Sequence, residues 1–149
     1  MCGPAGSGKS TYARQLELQG MVRLSFDEES FKRNITVHPL PDTVHDEIKK
    51  YLDQKLVDLI SQNINVVLDY SFWSREMRDE YKEILRPYDI EPEIIQIVTP
   101  KEVILERISN RTGAHANDIR LTEKLAAQYY NNFQPPTIDE GNITIIKGY

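Results

Sequence analysis

A single cysteine, Cys2, leaves no means of building an internal disulfide or a four-cysteine zinc centre. The three histidines, His38, His45 and His115, are scattered without metal-ligand spacing, which argues against zinc. No apolar run approaches the roughly 20 residues of a membrane span, so no membrane partner is expected. Residues 1–20 also lack the basic and apolar regions of a secretory signal. Basic residues are outnumbered, 18 Lys and Arg against 23 Asp and Glu, for a net charge of −5. A broad polyanion-binding face is therefore not expected, although a local basic pocket is compatible with that balance. There is no repeat, low-complexity tract or Gly/Ser linker. What remains is an ordinary globular composition, 40% hydrophobic and 28% charged over 149 residues. The expectation is one reduced, cytoplasmic, monomeric domain covering residues 1–149.

Along the chain, helical and strand patterns alternate. Residues 9–19 suit a helix ended by Gly20, and 21–25 a short strand. The prolines of His38-Pro39-Leu40-Pro41 mark a loop. Val44, Ile48, Leu52, Leu56, Leu59 and Ile60 then fall on one face of a helix over 43–61, with Thr43 and Asp46 spaced as a capping box. Residues 64–68 (INVVL) read as a strand covered on both faces. Ser74 caps a helix that stops before Arg86-Pro87, and 93–98 forms the next strand. Thr99-Pro100-Lys101-Glu102 opens another helix, with Thr99 as the cap and Glu102 three residues on. A helix over 121–133 and a strand over 143–146 complete the pattern. Such alternation predicts an α/β three-layer sandwich around a parallel sheet.

Gly3-Pro4-Ala5-Gly6-Ser7-Gly8-Lys9-Ser10 matches the phosphate-binding loop G-x-x-x-x-G-K-[ST]. Gly3, Gly6 and Gly8 let the backbone curl until successive N–H groups, Ser7 among them, converge on an anion. The helix after the loop adds its positive end. Lys9 is placed to bridge β- and γ-phosphates, Ser10 to ligate Mg²⁺ and Thr11 to touch the α-phosphate. One feature conflicts with the motif. Such a loop comes after a central strand, and only Met1 and Cys2 precede Gly3. The first strand is thus cut short, leaving its neighbours about 9–10 Å apart unless a natural leading segment or another part of the chain fills the slot.

Asp27 and Asp69 each come just after a strand, and the carboxyl ends of parallel strands line one crevice. Asp27 suits the orientation and deprotonation of an acceptor hydroxyl, Asp69 the metal or its waters. The bland alternative for Asp27 is capping the short helix that holds Phe31. Further on, Arg107 and Arg111 lie one helical turn apart with no acid at the facing positions. They suit a lid, over about 107–120, that clamps a transferring phosphoryl group, with Arg120 a weaker candidate.

The phosphate loop, Asp27, Asp69 and the arginine pair, in that order, resemble the small AAA-domain P-loop kinases. That group is akin to polynucleotide 5′-hydroxyl kinases, zeta toxins and chloramphenicol phosphotransferases. The likeness runs through GPAGSGKST, LSFDEESFKR, NVVLDYSFWSREMRDEY, ERISNR and YNNFQPPTIDEG. It implies Asp27 as the base, Arg107 and Arg111 as lid arginines, and the Gln134-Pro135-Pro136 stretch near adenine. It also implies an arginine three residues after the base in enzymes acting on polynucleotides. Here that residue is Ser30, so a nucleic-acid acceptor is disfavoured. The expected activity is transfer of the γ-phosphoryl of Mg·ATP to a hydroxyl of a small molecule. The alternatives are a polynucleotide 5′-hydroxyl kinase and a non-catalytic ATP-binding module.

Overall fold

Residues 1–148 are described in the computed structural model. In chain order the elements are α1 (Lys9–Leu18), β1 (Val22–Leu24), α2 (Phe26–Lys32), α3 (Asp42–Ser61), β2 (Val66–Leu68), α4 (Arg75–Leu85), β3 (Ile94–Val98), α5 (Lys101–Ser109), α6 (Glu123–Asn132) and β4 (Ile143–Lys147). Short 3₁₀ turns come after α4 at Arg86–Tyr88 and before β4 at Ile138–Glu140.

Two parallel pairs make up the sheet: β1 with β2, Leu24 opposite Leu68, and β3 with β4, Ile94 opposite Ile143. Between them lie Met1 and Cys2. The Met1 amine donates to the Leu68 carbonyl at 3.0 Å, while Cys2 exchanges backbone bonds with Ile95 and Ile97 at 2.7 and 2.9 Å. Met1 and Cys2 lie in the slot of the expected first strand, and they join the pairs in the order β1–β2–(Met1-Cys2)–β3–β4. Among the described residues no other strand bonds to the inner edges of β2 and β3. Burial holds the Met1 amine below its ordinary pKa, with the Cys2 and Asp69 charges opposing.

Alternation along the strands divides the core. Leu24, Leu68, Cys2 and Ile94 face α3 and α4 and pack with Ile48, Leu52, Leu56, Tyr81 and Leu85. Met1, Val67, Ile95 and Ile97 face the other way, onto Ala13 and Leu16 of α1. The expected three layers are therefore present. A smaller cluster of Ile104, Ile108 and Ala126 holds α5 to α6 beside Ala5 of the phosphate loop. No described helix is long and apolar enough to cross a membrane.

Two expected caps do not form. Pro41, not Thr43, precedes α3, and Pro100 precedes α5 without a side-chain cap. The Thr99 hydroxyl instead donates to the Ser7 carbonyl at 2.8 Å, fixing the end of β3 to the phosphate loop. Ser74 does cap α4, accepting from the Met77 amide.

Candidate active site

The phosphate loop turns on positive φ at Gly3, Gly6 and Gly8 (149°, 82° and 102°), conformations that a side chain would strain. At Gly3 an added Cβ would also lie 2.7 Å from the Ser7 hydroxyl, so the position has neither the room nor the dihedral freedom for another residue. Gly8 begins α1 without a side-chain cap. Among the described residues, the amides of Gly6, Gly8, Lys9 and Ser10 have no acceptor. Curled free amides at a helix N-terminus make an anion cradle.

Lys9 is buried, and its ammonium donates to the Pro4 carbonyl at 3.0 Å within the loop. Burial lowers its pKa, opposed by the nearby charges of Asp69 and Asp27. Ser10, one residue on, donates to Asp69 Oδ1 at 3.2 Å. Sequence-distant by 59 residues, this serine and carboxylate meet because β2 ends beside the start of α1. Asp69 Oδ2 accepts from Arg23 at 3.0 Å, and Arg23 also binds Glu17 and Glu28. Thr11 is exposed.

Asp27 lies in the first turn of α2 and does not cap it: Ser25 does, accepting from the Glu28 amide. The Asp27 side chain is thereby free of a capping bond, and it lies near enough to Lys9 for their charges to interact. Burial raises its pKa, the Lys9 charge counters that, Asp69 adds to it, and Arg111 opposes it again. Ser30 donates to the Asp27 carbonyl at 3.0 Å, closing the turn that carries the carboxylate. Arg107 reaches the Gly6 carbonyl at 3.3 Å from α5. Arg111 is not on that helix, which ends at Ser109. Its guanidinium, with its pKa lowered by burial and sustained by the Asp27 charge, is pinned at 3.0 Å to the Ile119 carbonyl. The shared helical face expected for the two arginines is thus replaced by a helix end plus a loop; Arg107 touches the phosphate loop, and Arg111 is near enough for its charge to act on Lys9. Arg120 is exposed and packs near Gly113, away from these contacts.

A family model described as an AAA domain matches residues 1–136. The chain belongs to the AAA domain family. This AAA domain is similar to a crystal structure named a “putative kinase” from Chloroflexus aurantiacus J-10-fl. The TM-score is 0.75 at 18% identity, covering 98% of this chain and 84% of that one. It is also similar to an unliganded sugar kinase from Janibacter sp. HTCC2649. There the TM-score is 0.63 at 20% identity, covering 98% and 82%. No curated protein matches the chain significantly.

Around the cradle of this AAA domain stand several groups that the sequence pattern does not announce. His38 and Tyr129, a scattered histidine and an apparent core tyrosine by sequence, meet at 3.1 Å. Burial and the Arg111 charge both lower the His38 pKa. The loop after α5 is folded on Asp118, whose carboxylate accepts from the Thr112 amide and hydroxyl and the Ala114 amide at 2.7–3.0 Å. Those bonds hold its carboxyl well below the usual aspartate range. Neighbouring Asn117 accepts a hydrogen bond from Arg14.

The most buried charge pair is equally silent in the sequence. Arg78 and Glu140 form a two-pronged bridge at 2.6 and 2.9 Å, with side chains 3% and 0% exposed. Arg78 further donates to the Phe72 and Gln134 carbonyls, and Phe72 sits at a φ of 41°, which is strained for so bulky a residue. Arg78 falls three and seven residues before Tyr81 and Leu85, on the buried face of α4; that spacing is the available signal. Gln134 is bonded to Trp73 and Arg75, on the β2 side of the phosphate loop. Thr99 and Gly148 border the loop on its other side.

Proposed function

We propose that this AAA domain is an ATP- and Mg²⁺-dependent kinase that phosphorylates a hydroxyl of a small molecule. The observation that supports this most is Lys9 buried within the loop beside the Ser10–Asp69 pair, with the half-buried Asp27 near enough for its charge and that of Lys9 to act on one another. A purely ATP-binding module has no need of a half-buried carboxylate there. The net charge of −5 and Ser30 after the base favour a small acceptor over a polynucleotide.

The residues present suit the groups such a reaction uses. Magnesium takes few protein ligands and keeps several waters, and a hydroxyl hydrogen-bonded to a carboxylate, as Ser10 and Asp69 are, matches that habit. No three described His, Cys, Asp or Glu side chains gather into a metal cage, and magnesium bridged by phosphates does not require one. The ion's contribution when bound is to neutralise charge on the β- and γ-phosphates.

Each of the chain's own residues then has a task. The free amides of Gly6, Gly8, Lys9 and Ser10, with Ser7 and Gly3 shaping the turn, hold the phosphates. Lys9 leaves the Pro4 carbonyl for the β/γ bridge, and Thr11 lies toward the α-phosphate. Asp27 accepts the hydroxyl proton as the acceptor oxygen bonds to the γ-phosphorus and the bond to the β–γ bridging oxygen breaks, leaving ADP. Arg107 and Arg111, on a lid over about 107–120, neutralise charge on the transferring group. The lone buried Cys2 suits a reducing, cytoplasmic setting.

The test pairs a metabolite panel under labelled Mg·ATP with Asp27→Asn. The variant should keep its nucleotide affinity by calorimetry while transfer falls by at least about a hundredfold. Undiminished transfer would remove Asp27 from the role of base.

A further inference from the structure

Resting on the reading of Asp27 as base, we infer that Asn117 is a positioning residue, clamped by Arg14 so that its amide NH₂ orients the Asp27 carboxylate toward the acceptor. Asn117 Oδ1 accepts from the guanidinium of Arg14, which settles which end of the amide points where. Its Nδ2 is then the end away from Arg14, and the amide is near enough to Asp27 to lower the carboxyl pKa against the larger rise from burial. That nitrogen is buried and closes no hydrogen bond of ordinary geometry. A buried donor without a partner is costly, of a kind that functional sites retain for a purpose.

The surroundings fix the amide from three elements. Arg14 projects from α1 and also approaches Glu28 of α2 at 3.9 Å, so it spans from the helix that carries the base to the loop after α5. Asp118, next to Asn117, ties its loop to Thr112 and Ala114, and Arg111 ties the same loop to the Ile119 carbonyl. A carboxylate flanked by Lys9 and Arg111 would otherwise be free to rotate toward either cation. A neutral N–H donor on one oxygen leaves the other for the proton of the acceptor.

Asn117→Leu removes the donor, and Asn117→Asp keeps an oxygen for Arg14 while replacing the NH₂ by an acceptor. Both should lower kcat about tenfold or more, with the KM for Mg·ATP within about twofold of wild type. Asn117→Asp preserves the size of the side chain and its Arg14 contact, so it carries the test if the leucine variant folds poorly. Unchanged kcat in either folded variant, alongside an inactive Asp27→Asn, overturns the positioning role alone. Parallel losses of nucleotide KM, kcat and melting temperature in both variants would mark Asn117 as scaffold and also overturn it. Full activity of Asp27→Asn would instead bring down the base and its helper together.

Discussion

Replacing Glu140 by Gln should cost this small domain a large share of its stability. The carboxylate is fully buried and receives both prongs of Arg78, at 2.6 and 2.9 Å, together with the Thr137 amide at 2.9 Å. Glutamine keeps the shape but leaves a guanidinium, 3% exposed, without its counter-charge. Breaking one side of a buried pair in this way costs about 3–5 kcal/mol. At about 2–4 °C per kcal/mol for a chain of this size, melting should fall by roughly 6–20 °C. Urea titration read by circular dichroism measures the loss directly. The same pair has an acid signature. Hydrogen bonding to Arg78 holds the Glu140 pKa down, to about 2 from an ordinary 4.5. A depressed native value means that the stabilisation is complete above the unfolded pKa and drains away as pH falls from about 4.5 toward 2. The wild type should therefore lose stability over that window more steeply than Glu140→Gln. Replacing both partners with apolar residues should recover part of the loss. A glutamine variant within about 0.5 kcal/mol of wild type at neutral pH would refute the reasoning.

Two other outcomes are expected. Because burial raises the Asp27 pKa and lowers that of Lys9, kcat/KM against pH should fall on the acid side above the ordinary aspartate range, as Asp27 takes up a proton. It should fall on the basic side below the ordinary lysine range, as Lys9 loses one. A profile flat down to about pH 4 would contradict the acid limb. Four apolar residues added ahead of Met1 should pair with the inner edges of β2 and β3 and replace a buried amine by an amide, raising the melting temperature by about 5 °C or more. Equal melting temperatures would show that the slot gains nothing from being filled.

The order of helices and strands is legible in the sequence because it rests on local periodicity: Ile48, Leu52 and Leu56 keep helical spacing, and residues 64–68 an unbroken apolar run. The phosphate loop is legible because its glycines answer to backbone geometry that few other residues can adopt. The hidden features depend on partners far apart in sequence. Nothing beside Arg78 announces Glu140, 62 residues away, and nothing beside Arg23 announces Asp69. Caps depart from expectation where a proline takes the position, as at Pro41 and Pro100. Helix length misleads at Arg111: the apolar spacing of Ile104 and Ile108 runs out before it, and Asp118 rather than helical bonding shapes the loop beyond.

Met1 and Cys2 are also the stem of the phosphate loop. The left and right halves of the sheet touch through the very peptide that curls, one residue later, around an anion. A guest that stills Gly3 through Ser10 is therefore expected to still the seam between the two strand pairs as well, so that its binding should register in the sheet and not merely at the loop.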